Sequence, residues 1–128
     1  MDFAPRAVKL AKQKVNRAGV QVELFVKDVT KLQGINGPFD LAFDIGCFHS
    51  IPQKGKVEYL RQLNRILAPN GFWLMYGFLK PETNHAGPGL VEADISHALS
   101  QLTLVSRQDG FDDSRARASA WFLFQKSR

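Results

Sequence analysis

Along this chain the apolar residues change their spacing from segment to segment, and each change marks an element. Over residues 5–18, Val8, Ala11, Val15 and Ala18 recur at intervals of three and four, the period of a one-sided helix. Pro5 suits the first helical position and Gly19 the stop, although Ala4 is a poor cap. Residues 22–27 alternate loosely and are rich in strand formers, which predicts a strand. Gly34, Asn36, Gly37 and Pro38 predict a loop. Residues 41–45 form a short, nearly continuous apolar run, as in a strand buried on both faces. A helix is predicted over about 53–67, with Val57, Leu60, Leu63 or Asn64, and Leu67 on one side. Pro69, Asn70 and Gly71 predict a tight turn into a strand over 72–78. Residues 79–89 hold two prolines and two glycines and read as a loop of the kind that forms a lid, with Tyr76 beside it. A helix over 90–100 follows, then strands over 102–108 and 118–125 joined around 110–115 as an antiparallel hairpin. The alternation predicts one α/β domain over 1–128, with parallel strands first and a C-terminal antiparallel hairpin.

Composition narrows the picture little. The 128 residues suffice for one core, and 45% hydrophobic with 23% charged residues is an ordinary globular balance. No apolar run reaches the roughly 18 residues of a membrane span. The one cysteine, Cys47, excludes an internal disulfide and makes a reducing cytoplasm the simplest setting. The net charge of +5 gathers partly on the first helix, at Arg6, Lys9, Lys12, Lys14 and Arg17. With no aromatic residue between these charges they read as a solvated face, and nucleic acid is not the expected partner.

Single residues allow competing readings. Asp44, a carboxylate inside an apolar run, either lines a polar cleft or holds the backbone of residues 46–49. Asp28 follows a predicted strand and suits a turn cap. His49 has the pKa range of a general base. Cys47 has no companion for a metal or nucleophile site, and His85 and His97 read as surface residues. Trp73 and Trp121 read as sheet packing.

Four segments, taken in order, resemble the class I S-adenosylmethionine-dependent methyltransferases of the small-molecule branch. Residues 1–8 look like the end of that family's second strand and its next helix. The resemblance implies that Asp2 accepts bonds from the cofactor ribose and that Phe3 lies near the adenine. Residues 26–30 look like the end of the third strand, which implies adenine contacts from Asp28 and Val29. Residues 39–50 look like the fourth strand and the loop facing the methionine end, with Asp44 and Gly46 there and His49 where substrate and cofactor meet. Residues 63–72 resemble the family's helix-turn-strand signature, with Asn70 where glycine is commoner. The final helix and hairpin, with Trp121, fit as well.

The fold thereby implied is a Rossmann-like methyltransferase sheet in a truncated form, because the family's first strand and glycine-rich loop have no counterpart. In the family the sheet order is 3-2-1-4-5-7-6, counted from its own first strand. The absence leaves residues 22–27 apart from residues 41–45 and exposes an edge. Three expectations follow: weak or no cofactor binding and no catalysis by the chain alone, a homodimer covering the edge, and residues 22–27 sliding beside residues 41–45 as another remedy. A small-molecule acceptor is expected if the chain is active. The rival expectation is a non-enzymatic homodimeric binding or assembly module.

Overall fold

The computed structural model describes residues 1–83 and 87–128. Helix α1 spans Pro5–Ala18, with Gly19 closing it in the left-handed region at φ 65°. Strand β1 spans Phe39–Ile45 and leads through a 3-10 turn at Phe48–Ser50 into helix α2, Gln53–Ile66. Strand β2 is Leu67–Phe78 and helix α3 is Glu92–Leu99. Strands β3, Thr103–Asp112, and β4, Arg117–Gln125, close the chain.

The four strands form one sheet in the order β1-β2-β4-β3. β1 and β2 are parallel, from Leu41 opposite Phe72 to Ile45 opposite Tyr76, while β4 runs antiparallel to both β2 and β3. The parallel start and antiparallel end agree with the sequence reading. The turn at 69–71 lies inside β2, where Asn70 takes φ 62° and bends the strand's first residues.

Two expectations are corrected. Residues 22–27 do not form a strand and do not slide beside β1. Their ordered pairing is one parallel bridge between Val26 and Asp2, with Asp2 N–H on the Phe25 carbonyl at 3.1 Å and Lys27 N–H on the Asp2 carbonyl at 3.0 Å. An extended segment with a single short partner has too few ladder bonds to persist as a strand. The inward face of α2 is also different. Val57 is 50% exposed, and the buried residues are Lys56, Tyr59, Leu60, Gln62, Leu63 and Ile66. The helix is thus rotated about its axis so that Tyr59, rather than Val57, enters the core.

The core lies on one side of the sheet. Trp73 and Met75 of β2 and Ala120, Phe122 and Phe124 of β4 meet α2, the 3-10 turn and α3 there. Trp73 is fully buried, edge-on to Phe48 at 5.2 Å and stacked near Phe124 at 5.2 Å. A buried ion pair, Lys56 Nζ to Asp94 at 2.6 Å, joins α2 to α3. No residue of α1 is buried. Among the described residues no helix is long and apolar enough to cross a membrane. The central part of the expected lid, including His85, lies outside the described residues; its C-terminal end returns to the core, with Leu90 N–H on the Phe78 carbonyl at 2.7 Å.

Because Trp73 fills the centre of this layer, Trp73→Ala is expected to cost about 3–5 kcal/mol. Urea unfolding followed by circular dichroism would read this as a lowered midpoint with an unchanged slope.

Candidate functional site

The site is organised by where β1 stops. Asp44, next to last in the strand, is 4% exposed. Its Oδ1 accepts the Cys47 N–H at 2.8 Å, and its Oδ2 accepts the Phe48 N–H at 3.1 Å and the Tyr59 hydroxyl at 2.7 Å. The carboxylate therefore caps the 3-10 turn and ties it to α2. Burial raises its pKa above the usual carboxylate value, with the bonds from Tyr59, Cys47 and Phe48 opposing that rise. Both oxygens are engaged internally, so Asp44 acts on a ligand only through the loop it holds. That matches the backbone-holding alternative for this residue.

Gly46 turns the chain away from β1 at φ 77°, a conformation that side chains rarely adopt. Its N–H bonds the Tyr76 carbonyl at 3.0 Å and its carbonyl accepts the Ser50 hydroxyl at 2.7 Å. Cys47 beside it is a poor nucleophile, because burial and then the Asp44 charge push its thiol up to about 12.

The opposite wall comes from the N-terminal segment. Asp2 Oδ1 accepts the Ala4 N–H at 2.8 Å, supplying at the start of α1 the cap that Ala4 cannot. Asp28 Oδ1 accepts both the N–H and the hydroxyl of Thr30, at 2.8 and 2.7 Å. The Thr30 hydroxyl bond, then its backbone bond, lowers the Asp28 pKa, so the group is ionised at neutral pH. Among the described residues, Oδ2 of Asp2 and of Asp28 makes no hydrogen bond. Phe3 is 81% exposed, and Val29 packs half-buried against the core.

Between the walls lies an open cleft of about 1270 Å³. Asp2, Phe3, Asp28, Val29, Asp44 and Gly46 all line it, as do Tyr59 and the apolar residues of β1. It sits at the point where the sheet is interrupted. Among the described residues β1 pairs with β2 alone, and the Asp2–Val26 bridge stands apart from the four-stranded sheet.

His49 is not part of the cleft lining. The ring is 7% exposed and stacks on Phe78 at 4.9 Å. Its Nδ1 accepts the Phe78 N–H at 2.9 Å, which leaves the neutral ring's proton on Nε2. The ring is therefore an acceptor fastening the turn to β2, with its accepting nitrogen already used. Burial first, then the charges of Arg117 and Lys56, lower its pKa to about 4.

Tyr59 is the participant that the sequence reading missed. Its hydroxyl holds Asp44, and burial pushes its own pKa well above 10. The signal available was its position one turn before Leu63 on the same helix face.

Comparison with known proteins gives a consistent result. A family model described as a methyltransferase domain matches residues 1–71. Two methyltransferases of Schizosaccharomyces pombe, both described as uncharacterised, are 33% identical over 66 residues, which is 52% of this chain and 46% of theirs. The chain thus spans about half the length of the curated relatives it matches. Among solved structures, the N-methyltransferase NodS of Bradyrhizobium japonicum, in complex with S-adenosyl-l-homocysteine, superimposes with a TM-score of 0.82 at 18% identity. That match covers 99% of this chain and 65% of NodS. The [4+2]-cyclase SpnF reaches the same TM-score at 11% identity, covering 98% of this chain and 64% of its own. At these identities the likeness is one of fold.

The low pKa of His49 gives a test. Between pH 6.5 and 4 the unfolded chain binds a proton at this ring that the folded chain does not, so stability falls as pH drops through that window. The loss reaches on the order of 3 kcal/mol by pH 4 and is absent above pH 6.5. His49→Gln is expected to remove this slope from a series of urea unfolding curves.

Proposed function

The chain belongs to the methyltransferase-domain family, and from that membership we propose that it is an S-adenosylmethionine-dependent methyltransferase-like protein acting on a small-molecule nucleophile. The family uses S-adenosylmethionine. What supports a role for it here is that six residues matching the family's cofactor positions, distant in sequence, line one cleft. Two carboxylates there keep an oxygen available for hydroxyl or amino donors, as adenosine binding requires.

In this reading Asp2 accepts from ribose hydroxyls, and Phe3, Asp28 and Val29 hold the adenine. The Gly46 loop, held by Asp44 and Tyr59, faces the methionine end. When bound, the cofactor supplies an electrophilic methyl group whose transfer releases a neutral thioether. This chain's residues contribute orientation and exclusion of water, which is the main lever for a direct displacement. The acceptor's proton leaves to solvent or to another group, because the His49 lone pair is already taken by Phe78 N–H.

The same cleft argues for weak binding by the chain alone. Asp2 and Phe3 are exposed, and no strand stands between the Asp2–Val26 bridge and β1 among the described residues. Among the described residues that side of the cleft is open. A second reading, a non-enzymatic homodimeric binding or assembly module, is favoured by a separate observation, the exposure of the apolar residues Leu41, Phe43 and Ile45 along β1. The fold admits both readings, since one fold hosts many functions.

Calorimetric titration with S-adenosylmethionine tests the proposal. A Kd weaker than about 100 μM is expected, and Asp28→Ala should weaken it about tenfold further. Binding in the low micromolar range would contradict the expected weak binding. No heat at millimolar cofactor would contradict the cofactor reading itself.

A further inference from the structure

The ring of His49 is held in one orientation by groups that leave one of its edges unused. Its Nδ1 accepts the Phe78 N–H at 2.9 Å, and the ring stacks on the Phe78 ring at 4.9 Å. The His49 carbonyl accepts the Gly89 N–H at 3.0 Å. Gly77 makes room for this packing, since a Cβ there would stand 3.4 Å from the His49 Cβ and 2.7 Å from Leu90 Cδ1. Burial lowers the pKa of the ring to about 4, so at neutral pH it carries one proton, on Nε2. Among the described residues that N–H meets no acceptor. The neighbour it faces is Gly46. A Cβ at Gly46 would lie 3.5 Å from both Nε2 and Cε1 of His49, and beyond the adjoining residues nothing else described comes within 4 Å of that point. The place a side chain would take is open, and the protonated edge of the imidazole borders it. The ring lies behind the cleft wall, but Gly46 belongs to that wall and has no side chain to screen it.

We propose that the Nε2–H of His49 is a fixed hydrogen-bond donor to the methyl acceptor, selecting small acceptors that carry a carboxylate or another oxyanion beside the nucleophile. This rests on the reading above, in which the Gly46 turn is where acceptor and cofactor meet. The charges around the ring select the sign of the partner. Arg117 lays its guanidinium over the Phe78 ring at 4.6 Å and donates to the Pro88 carbonyl at 2.6 Å, and among the described residues it pairs with no carboxylate. Lys56 is already matched by Asp94 at 2.6 Å. Asp44, at the end of β1, has its oxygens on Cys47, Phe48 and Tyr59. The positive charge left unmatched near the ring is therefore that of Arg117. An oxyanion meets both that field and a donor, and hydrogen bonds to ionised oxygens are about twice as strong as neutral ones. An ammonium group meets the field as repulsion and finds no lone pair on the ring. Because the Phe78 N–H fixes the tautomer, the donor needs no rearrangement when the acceptor arrives. His49 orients the acceptor in this scheme and moves no proton.

Long-range proton–nitrogen NMR of the imidazoles in the full chain tests it, with benzoate as the probe anion and benzylammonium as the probe cation. The His49 signals, assigned by their loss in His49→Gln, are expected to show a protonated Nε2 and a bare Nδ1 at neutral pH. Benzoate should move the Nε2–H signal with a Kd on the order of a few millimolar, and benzylammonium should leave it still. His49→Gln offers an oxygen to the Phe78 N–H and an amide N–H to the anion, so it should bind benzoate within about threefold of the native chain. His49→Phe keeps the stacking without either hydrogen bond and should bind about tenfold more weakly. A proton on Nδ1 would overturn the proposal. So would an Nε2–H that benzoate leaves unmoved or that benzylammonium moves equally, and so would a His49→Phe chain that binds benzoate as tightly as the native one. If His49→Phe unfolds, the spectra of the native chain decide alone. Amide shifts at Phe3 and Asp28 with S-adenosylhomocysteine report the cofactor reading separately, so a failure of either is distinguishable from a failure of the other.

Discussion

The bond set around Asp44 is the constraint on which the site depends. A carboxylate buried to 4% exposure is costly unless its oxygens are satisfied, and here two backbone N–H groups and one phenol satisfy them. The same bonds end β1, set the 3-10 turn and pin α2 to the sheet through Tyr59. The positive φ of Gly46 and the burial of His49 follow from that arrangement, because the chain must leave the strand sharply to bring two successive N–H groups back to one side chain. Phe48, placed by the same turn, then packs on both Tyr59 and Trp73. Floor of the cleft and centre of the core are thus one construction.

The rest of the architecture turns on an interruption. β1 presents its second edge to a cleft rather than to a strand, and the short Asp2–Val26 pairing forms the far wall without joining the sheet. Parallel strands usually lie in the interior of sheets covered on both sides. Here the parallel pair lies at the edge of the sheet among the described residues, and Leu41, Phe43 and Ile45 of β1 stand exposed beside the cleft. Membership of the methyltransferase-domain family accounts for the positions of the cleft residues. The likeness to a cyclase of equal TM-score is a reminder that the scaffold alone does not name the chemistry.

Much of this was legible in the sequence, for identifiable reasons. α1, bounded by Pro5 and Gly19, matches its expected limits, because the two residues that mark them act locally. The parallel pair and the final hairpin were readable from the change of apolar period. The residues expected at the cofactor site do share a cleft, because four short segments kept the family's spacing. What was not legible depended on contacts between distant elements. Residues 22–27 have strand composition, but composition cannot supply a ladder partner. Val57 and Tyr59 both fit an apolar helical stripe, and only the position of Asp44 decides that the phenol goes inward. His49 looked poised for proton transfer until Phe78, 29 residues away, proved to occupy its Nδ1.

The central claim is that the cleft between the Asp2–Val29 segment and the Gly46 loop is where this chain meets S-adenosyl compounds. Two-dimensional amide NMR during titration with S-adenosylhomocysteine tests it most directly, because it locates even weak binding. The account predicts shifts gathered at Phe3, Asp28, Val29, Gly46 and Cys47, with the β3–β4 hairpin unmoved. Shifts centred on the hairpin or on α1, with the Gly46 loop silent, would contradict it.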